Sequence, residues 1–124
     1  EPHTLPMSDF LYELLHARQL ASDSPWVFPS PRTDGPFREP RSAVRQICAL
    51  CDTTFTLHDL RRTFTTAAES LDISVYALKR LINHKMSHDV TAGYIVNDVN
   101  RLRAPMQAIT DALKAHIGSI PAEH

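Results

Sequence analysis

The sequence predicts a mainly α fold, with at most a short extended pair near the start. Three observations carry this. Apolar residues recur at three- and four-residue steps in successive stretches, the period of one helix face. Helix-start residues stand immediately ahead of several of these stretches. Glycine occurs only at Gly35, Gly93 and Gly118, which excludes Gly-rich phosphate loops and glycine-dense hairpins. With 124 residues, 43% hydrophobic and 22% charged, the chain has the size and composition of one globular domain and not of a disordered segment. No apolar run approaches the ~18 residues of a membrane span. The start, Glu1-Pro2-His3, carries no leader pattern and reads as a cut inside a longer protein.

Each element has its own signal. Met7, Phe10, Leu11, Leu14 and Leu15 form the first stripe, with Ser8 as N-cap. Residues 24–38 hold Pro25, Pro29, Pro31, Gly35 and Pro36 and read as a loop, with Trp26-Val27-Phe28 as an extended apolar anchor. A second helix follows Pro40, with Val44, Ile47, Cys48 and Cys51 facing inward. Thr56 and Asp59 form a T-x-x-D capping box for a third helix, whose buried face is Leu57, Leu60, Phe64, Ala67 and Leu71. Leu71-Asp72-Ile73 is a tight joint. Ser74 caps a fourth helix with Val75, Leu78, Leu81 and Ile82 inward, and Ile73 and Leu78 stand at the positions of a hydrophobic staple. A short helical turn is expected around Asp89–Ile95. The last helix carries Val99, Leu102, Met106, Ile109 and Leu113, with a kink expected at Pro105 because proline lacks the amide donor. Tyr12 and Tyr76 read as packing residues within amphipathic helices.

The third helix bears a second stripe. His58, Arg61 and Thr65 are three and four residues apart and share a face beside the apolar one. An imidazole and a guanidinium placed this way can grip one anion, the guanidinium matching two phosphate oxygens at once. Taken alone, the same spacing also suits an ordinary solvated helix face. The fourth helix ends Leu81-Ile82-Asn83-His84, and Tyr94 follows ten residues later within Thr91-Ala92-Gly93-Tyr94-Ile95.

Together, Leu57-His58-Asp59-Leu60-Arg61-Arg62-Thr63-Phe64, then Asn83-His84, then Tyr94 resemble the tyrosine recombinase (phage integrase) family. Its H-x-L-R box, G-H box and nucleophilic tyrosine fall in this order with similar gaps. His3-Thr4-Leu5-Pro6-Met7-Ser8 resembles the family's extended lead-in, and Trp26-Val27-Phe28-Pro29 its apolar loop anchor. The resemblance covers roughly residues 3–115, and the Val90–Tyr94 segment is most similar to prophage integrases. Asn83 stands where the family usually has Gly. Asn tolerates the left-handed conformation better than most residues, so the same helix stop is expected.

The resemblance implies the helical C-terminal part of a DNA breaking-rejoining catalytic domain over residues 1–124. Tyr94 would attack a DNA phosphodiester and form a 3′-phosphotyrosine, releasing a 5′-hydroxyl. Arg61 would neutralise a non-bridging oxygen where charge builds up. His58 would donate to the same phosphate or take the tyrosine proton, and His84 would add another hydrogen bond. Arg62, Thr65 and Lys85 would contact the DNA. The implied partners are double-stranded DNA attachment sites and, in the full-length protein, a homotetramer. The implied location is the bacterial cytoplasm at the nucleoid, with no membrane, cofactor or metal. The family's first arginine and hairpin lysine, the latter the general acid for the leaving group, lie upstream of the lead-in. Arm-binding and core-binding regions lie there too. Nothing in this chain takes their place, so the chain alone is expected to be inactive. Residues 98–120 could pack in cis, pack in trans onto a neighbouring protomer, or remain loose.

Other signals are weaker. Cys48-Ala49-Leu50-Cys51 lacks a second ligand pair and a βαβ context, so reduced, buried thiols are expected. Residues 57–83, with Arg61, Arg62, Lys79 and Arg80 exposed, also suit a non-catalytic helix-turn-helix DNA-binding regulator. The formal charge of −1 hides a gradient, since residues 32–103 hold 11 Lys+Arg against 8 Asp+Glu. That modest excess falls on the segment of the phosphate site, so near-neutrality does not exclude a DNA enzyme.

Overall fold

Local capping chemistry fixes where two of the helices begin and where some of them end. The structure, a computed structural model, describes residues 2–84 and 99–118. It is mainly helical, with α1 (Asp9–Leu20), α2 (Arg41–Cys51), α3 (Leu57–Glu69), α4 (Val75–Leu81) and α5 (Arg103–Gly118). Among the described residues there is no strand. The short β element reduces to one antiparallel bridge between Pro29 and Pro36.

The capping box forms in full. The Thr56 amide and hydroxyl both donate to Asp59 Oδ2 at 2.8 Å, and the Asp59 amide donates to Thr56 Oγ1 at 3.2 Å. The two side chains thereby cap the start of α3 reciprocally, and the Asp59 amide also reaches the Thr56 carbonyl at 3.1 Å. Thr56→Ala is expected to cost about 1 kcal/mol of stability, read from urea unfolding. An unchanged midpoint would show that the box contributes nothing. Ser74 caps α4 as expected, its Oγ accepting the Ala77 amide at 3.2 Å.

With so few glycines, helix stops fall to other residues. Among the described residues, the non-glycine positions with positive φ are Asp52 (48°), Asp72 (53°) and Asn83 (52°). Asp52 and Asn83 lie just past helices and Asp72 in the turn between α3 and α4, and each has the short polar side chain that tolerates the left-handed region best.

The chain divides into two compact units. One comprises Glu1–Phe10 and Arg61–His124, the other Leu11–Leu60, so α1 and α3 each cross a boundary. The first unit holds the core. Ala67 and Ala68 of α3 and Ala77 and Leu81 of α4 are buried with Leu102, Met106 and Ile109. Phe64, Ile73, Leu78 and Leu113 pack against this cluster. The described part of the last segment thus packs in cis. Thr110 is buried there as well, its hydroxyl donating to the Met106 carbonyl one turn earlier at 3.0 Å.

The lead-in joins the same unit. Pro6 and Ser8 are buried. The Asp9 amide opening α1 donates to Gln107 Oε1 at 2.9 Å, and Gln107 Nε2 in turn donates to Asp111 Oδ1 at 2.9 Å. Lys114 Nζ lies 5.2 Å from the Phe10 ring centroid, a cation–π distance.

Pro105 does not kink a long helix. It is the third residue of α5, inside the first turn, where a missing amide has no intrahelical partner to lose. The break comes earlier, at Leu102, whose carbonyl accepts the Met106 amide at 3.0 Å. The turn expected around Asp89–Ile95 lies outside the described residues.

In the second unit no residue is buried. Serine hydroxyls organise its loop, Ser22 and Ser24 accepting amides two residues on and Ser30 accepting those of Arg32 and Thr33. The expected apolar anchor is exposed instead. Trp26, Val27 and Phe28 all face solvent within the unit, and Arg18 covers Phe28 at 4.7 Å from its centroid while donating to the Val27 carbonyl. Cys48 is half-buried, its Sγ donating to the Phe55 carbonyl at 3.7 Å, but Cys51 is exposed, as is Ile47.

Other expected core positions also fall outside the core. Met7, Phe10, Leu14, Leu57, Leu60, Leu71 and Val75 are exposed, whereas Ala68, assigned to no apolar stripe, is fully buried. A stripe marks the side of a helix that suits burial, and burial itself needs an opposing layer. Tyr12 and Tyr76 are exposed too, and Tyr12 stacks on His16 with centroids 5.5 Å apart.

Candidate functional site

The site begins at the capped start of α3. His58 and Arg61 are both exposed and stand one turn apart on this helix. Arg62, beside them, is exposed as well. Thr65 continues the same face, but its hydroxyl donates to the Arg61 carbonyl at 3.0 Å. Its proton is therefore directed to its own helix, and only acceptor capacity points outward.

The second half of the site is the end of α4. The Asn83 amide donates to the Arg80 carbonyl at 3.2 Å, and the His84 amide donates to the Lys79 carbonyl at 2.9 Å. With Asn83 at φ 52°, this pair of bonds is a Schellman ending. The left-handed stop expected at Asn83 is therefore present. His84 follows it immediately and is exposed.

A hydrogen bond links the two halves. The Arg61 guanidinium donates through Nη2 to the Ile82 carbonyl. This carbonyl belongs to the cap residue of α4, at the helix end whose partial negative charge favours a cation. Arg61 is thereby fixed beside the backbone two residues ahead of His84, although the two residues are far apart in sequence. A guanidinium has five N–H donors, so one contact to a carbonyl leaves most of its fork for another acceptor.

Of the expected site residues, the structure brings Arg61 and the His84 segment together. His58, Arg62 and Thr65 lie on the same helix as Arg61. Tyr94 and Lys85 lie outside the described residues. Lys79 and Arg80, expected to be exposed, are half-buried, so the basic face of a helix-turn-helix reading is reduced. Reading side chains alone misses the Ile82 carbonyl, because a backbone acceptor has no signature in residue type. Only the Asn83 stop next to it is legible.

Among the described residues, no group of three or more His, Cys, Asp or Glu side chains could hold a metal ion. No helix among them is long and apolar enough to cross a membrane.

Comparison with known proteins shows a similarity to a prophage integrase. The chain is 32% identical over 89 residues to the prophage integrase IntF of Escherichia coli (strain K12). The match takes in 67% of this chain and 19% of that relative, so the chain spans about a fifth of the relative's length. No family model matches the chain, and no solved structure matches it.

Proposed function

We propose that this chain is the C-terminal portion of the catalytic domain of a tyrosine recombinase of the prophage-integrase type. The full-length protein would integrate and excise DNA at specific attachment sites. One observation carries the reading, namely the placement of the Arg61 guanidinium at the end of α4 that presents His84. The similarity to a prophage integrase supports it independently. A cation and an imidazole gathered at one helix end suit an oxyanion such as a phosphodiester.

In this reading the Tyr94 Oη attacks the phosphorus, a P–O bond to tyrosine forms, and the bond to the 5′-oxygen breaks. The 5′-oxygen leaves as a hydroxyl, taking a proton from a general acid upstream of this chain. The 5′-hydroxyl of a second strand then reverses the step. No external energy is needed, because one phosphodiester is exchanged for another. Arg61 holds the non-bridging oxygens as charge builds up on them, with His84 donating to the same group. His58, one turn from Arg61, adds a donor or receives the tyrosine proton. Arg62 and Lys85 neutralise flanking phosphates. The partners are double-stranded attachment-site DNA and further copies of the full-length protein.

The test uses the full-length protein and nicked duplex DNA taken from the flanks of its own gene. A nick beside the scissile phosphate lets the released fragment escape and traps the adduct. A protein–DNA band that survives denaturing electrophoresis is expected. Reversible binding without any such band, across all flanking sequences, would favour a non-catalytic regulator. Arg61→Ala is expected to slow adduct formation by about 10²–10³-fold, the usual cost of removing one donor from a developing oxyanion. Arg62→Ala is expected instead to weaken binding and lower the salt slope by about 1.

A further inference from the structure

We infer that Asn83 is a positioning residue for Arg61, acting through the left-handed stop that leaves the Ile82 carbonyl available to the guanidinium. The inference rests on the recombinase reading, and it concerns a residue that touches neither DNA nor the reacting atoms in that reading.

The end of α4 supplies the argument. The Leu78 carbonyl accepts the Ile82 amide at 3.0 Å, the Lys79 carbonyl accepts that of His84 at 2.9 Å, and the Arg80 carbonyl accepts that of Asn83 at 3.2 Å. The chain then reverses at Asn83, with φ 52°. If the helix continued, the Ile82 carbonyl would instead face the amide four residues further on, as every interior helical carbonyl does. Arg61 would lose its acceptor, and His84 would be carried round the helix axis by the next turn. The stop therefore does two things at once. It leaves Ile82 with a carbonyl directed outside the helix, which Arg61 takes. It also fixes the backbone from which His84 projects.

The residue type matters. Asn and Gly accept positive φ readily, whereas a β-branched residue meets its own carbonyl there. The conformation is thus built into position 83 and is not imposed by burial, since Asn83 is exposed. An exposed side chain gives a clean substitution site.

The experiment measures the first-order rate of covalent adduct formation by the full-length protein at saturating concentration on nicked DNA. N83G, which keeps the left-handed conformation accessible, is expected to stay within about threefold of wild type, and N83V to be slowed by about tenfold. The deciding readout is a double-mutant cycle with R61K, which keeps the charge but loses the planar fork. If Asn83 acts through Arg61, N83V slows the R61K protein far less than it slows wild type. Equal slowing in both backgrounds, or a wild-type rate for N83V, overturns the inference while the recombinase reading stands. Loss of rate in N83G equal to that in N83V also overturns it, because the Asn side chain and not the backbone would then be responsible. Absence of any adduct from the wild-type protein removes the recombinase reading, and this inference with it.

Discussion

Tyr94→Phe in the full-length protein is expected to abolish covalent attachment to DNA while leaving reversible binding unchanged. The substitution removes one oxygen and keeps the ring, so the shape of the side chain is nearly preserved. Affinity for a duplex is dominated by contacts of cationic groups with phosphates, and none is lost. If Tyr94 is the nucleophile as proposed, the chemical step has no substitute for the lost atom, because phenylalanine offers none. The two results are read from one set of samples, by denaturing electrophoresis for the adduct and by a salt-dependent binding isotherm for affinity. An adduct formed by Tyr94→Phe at the wild-type rate would sink the assignment. The chain contains two other tyrosines, Tyr12 and Tyr76, and both are exposed, so each would then have to be tested in the same way.

The second large effect is on stability. Ile109→Ala is expected to destabilise the first unit by about 2–5 kcal/mol, the usual range for truncating a large buried aliphatic residue to alanine. Ile109 is 0% exposed and lies among seven buried hydrophobic residues of the described part of the chain, three of them alanines. Domains of this size are stable by only ~5–15 kcal/mol, so the loss is a large share of the total. Leu50→Ala is the matched control. Leu50 is 86% exposed, and its truncation is expected to shift stability by no more than about 0.5 kcal/mol. Thermal unfolding of the two variants followed by circular dichroism decides the point. Equal midpoints would mean that the last helix does not share the core of its own chain.

That core shows how far periodicity reaches. The stripe Leu102–Met106–Ile109–Leu113 identifies the side of α5 that packs, and the T-x-x-D and Ser74 signals identify where α3 and α4 begin. These are local properties, set by a helical period and by a side chain's reach to nearby amides. The burial of α1, α2 and the first turn of α3 is different. Their stripes are equally regular, yet Leu14, Ile47, Leu57 and Leu60 remain exposed. Period and residue type are the same for a covered and an uncovered helix face, so the sequence pattern does not distinguish them. Pro105 illustrates the reverse case. Its effect depends on which turn of the helix it occupies, and the break at Leu102 places it in the first turn, where proline costs nothing.

The candidate site divides along the same line. The sequence by itself determined the residue types and their spacing: His58 and Arg61 on one helix face, a left-handed stop at Asn83, His84 directly after it, and Tyr94 further on. The shared face of His58 and Arg61 follows from helical period and the stop at Asn83 from backbone preference, whereas His84 and Tyr94 stand out only through the family resemblance. Only the tertiary structure decided that Arg61 reaches the end of α4, because the acceptor it meets is the Ile82 backbone carbonyl, which every residue type possesses. It likewise decided that Gln107 closes the start of α1, across a sequence separation of 98 residues. Hydrogen bonds of this kind join groups that the chain brings together only after its helices have packed, and no local pattern of residues records them.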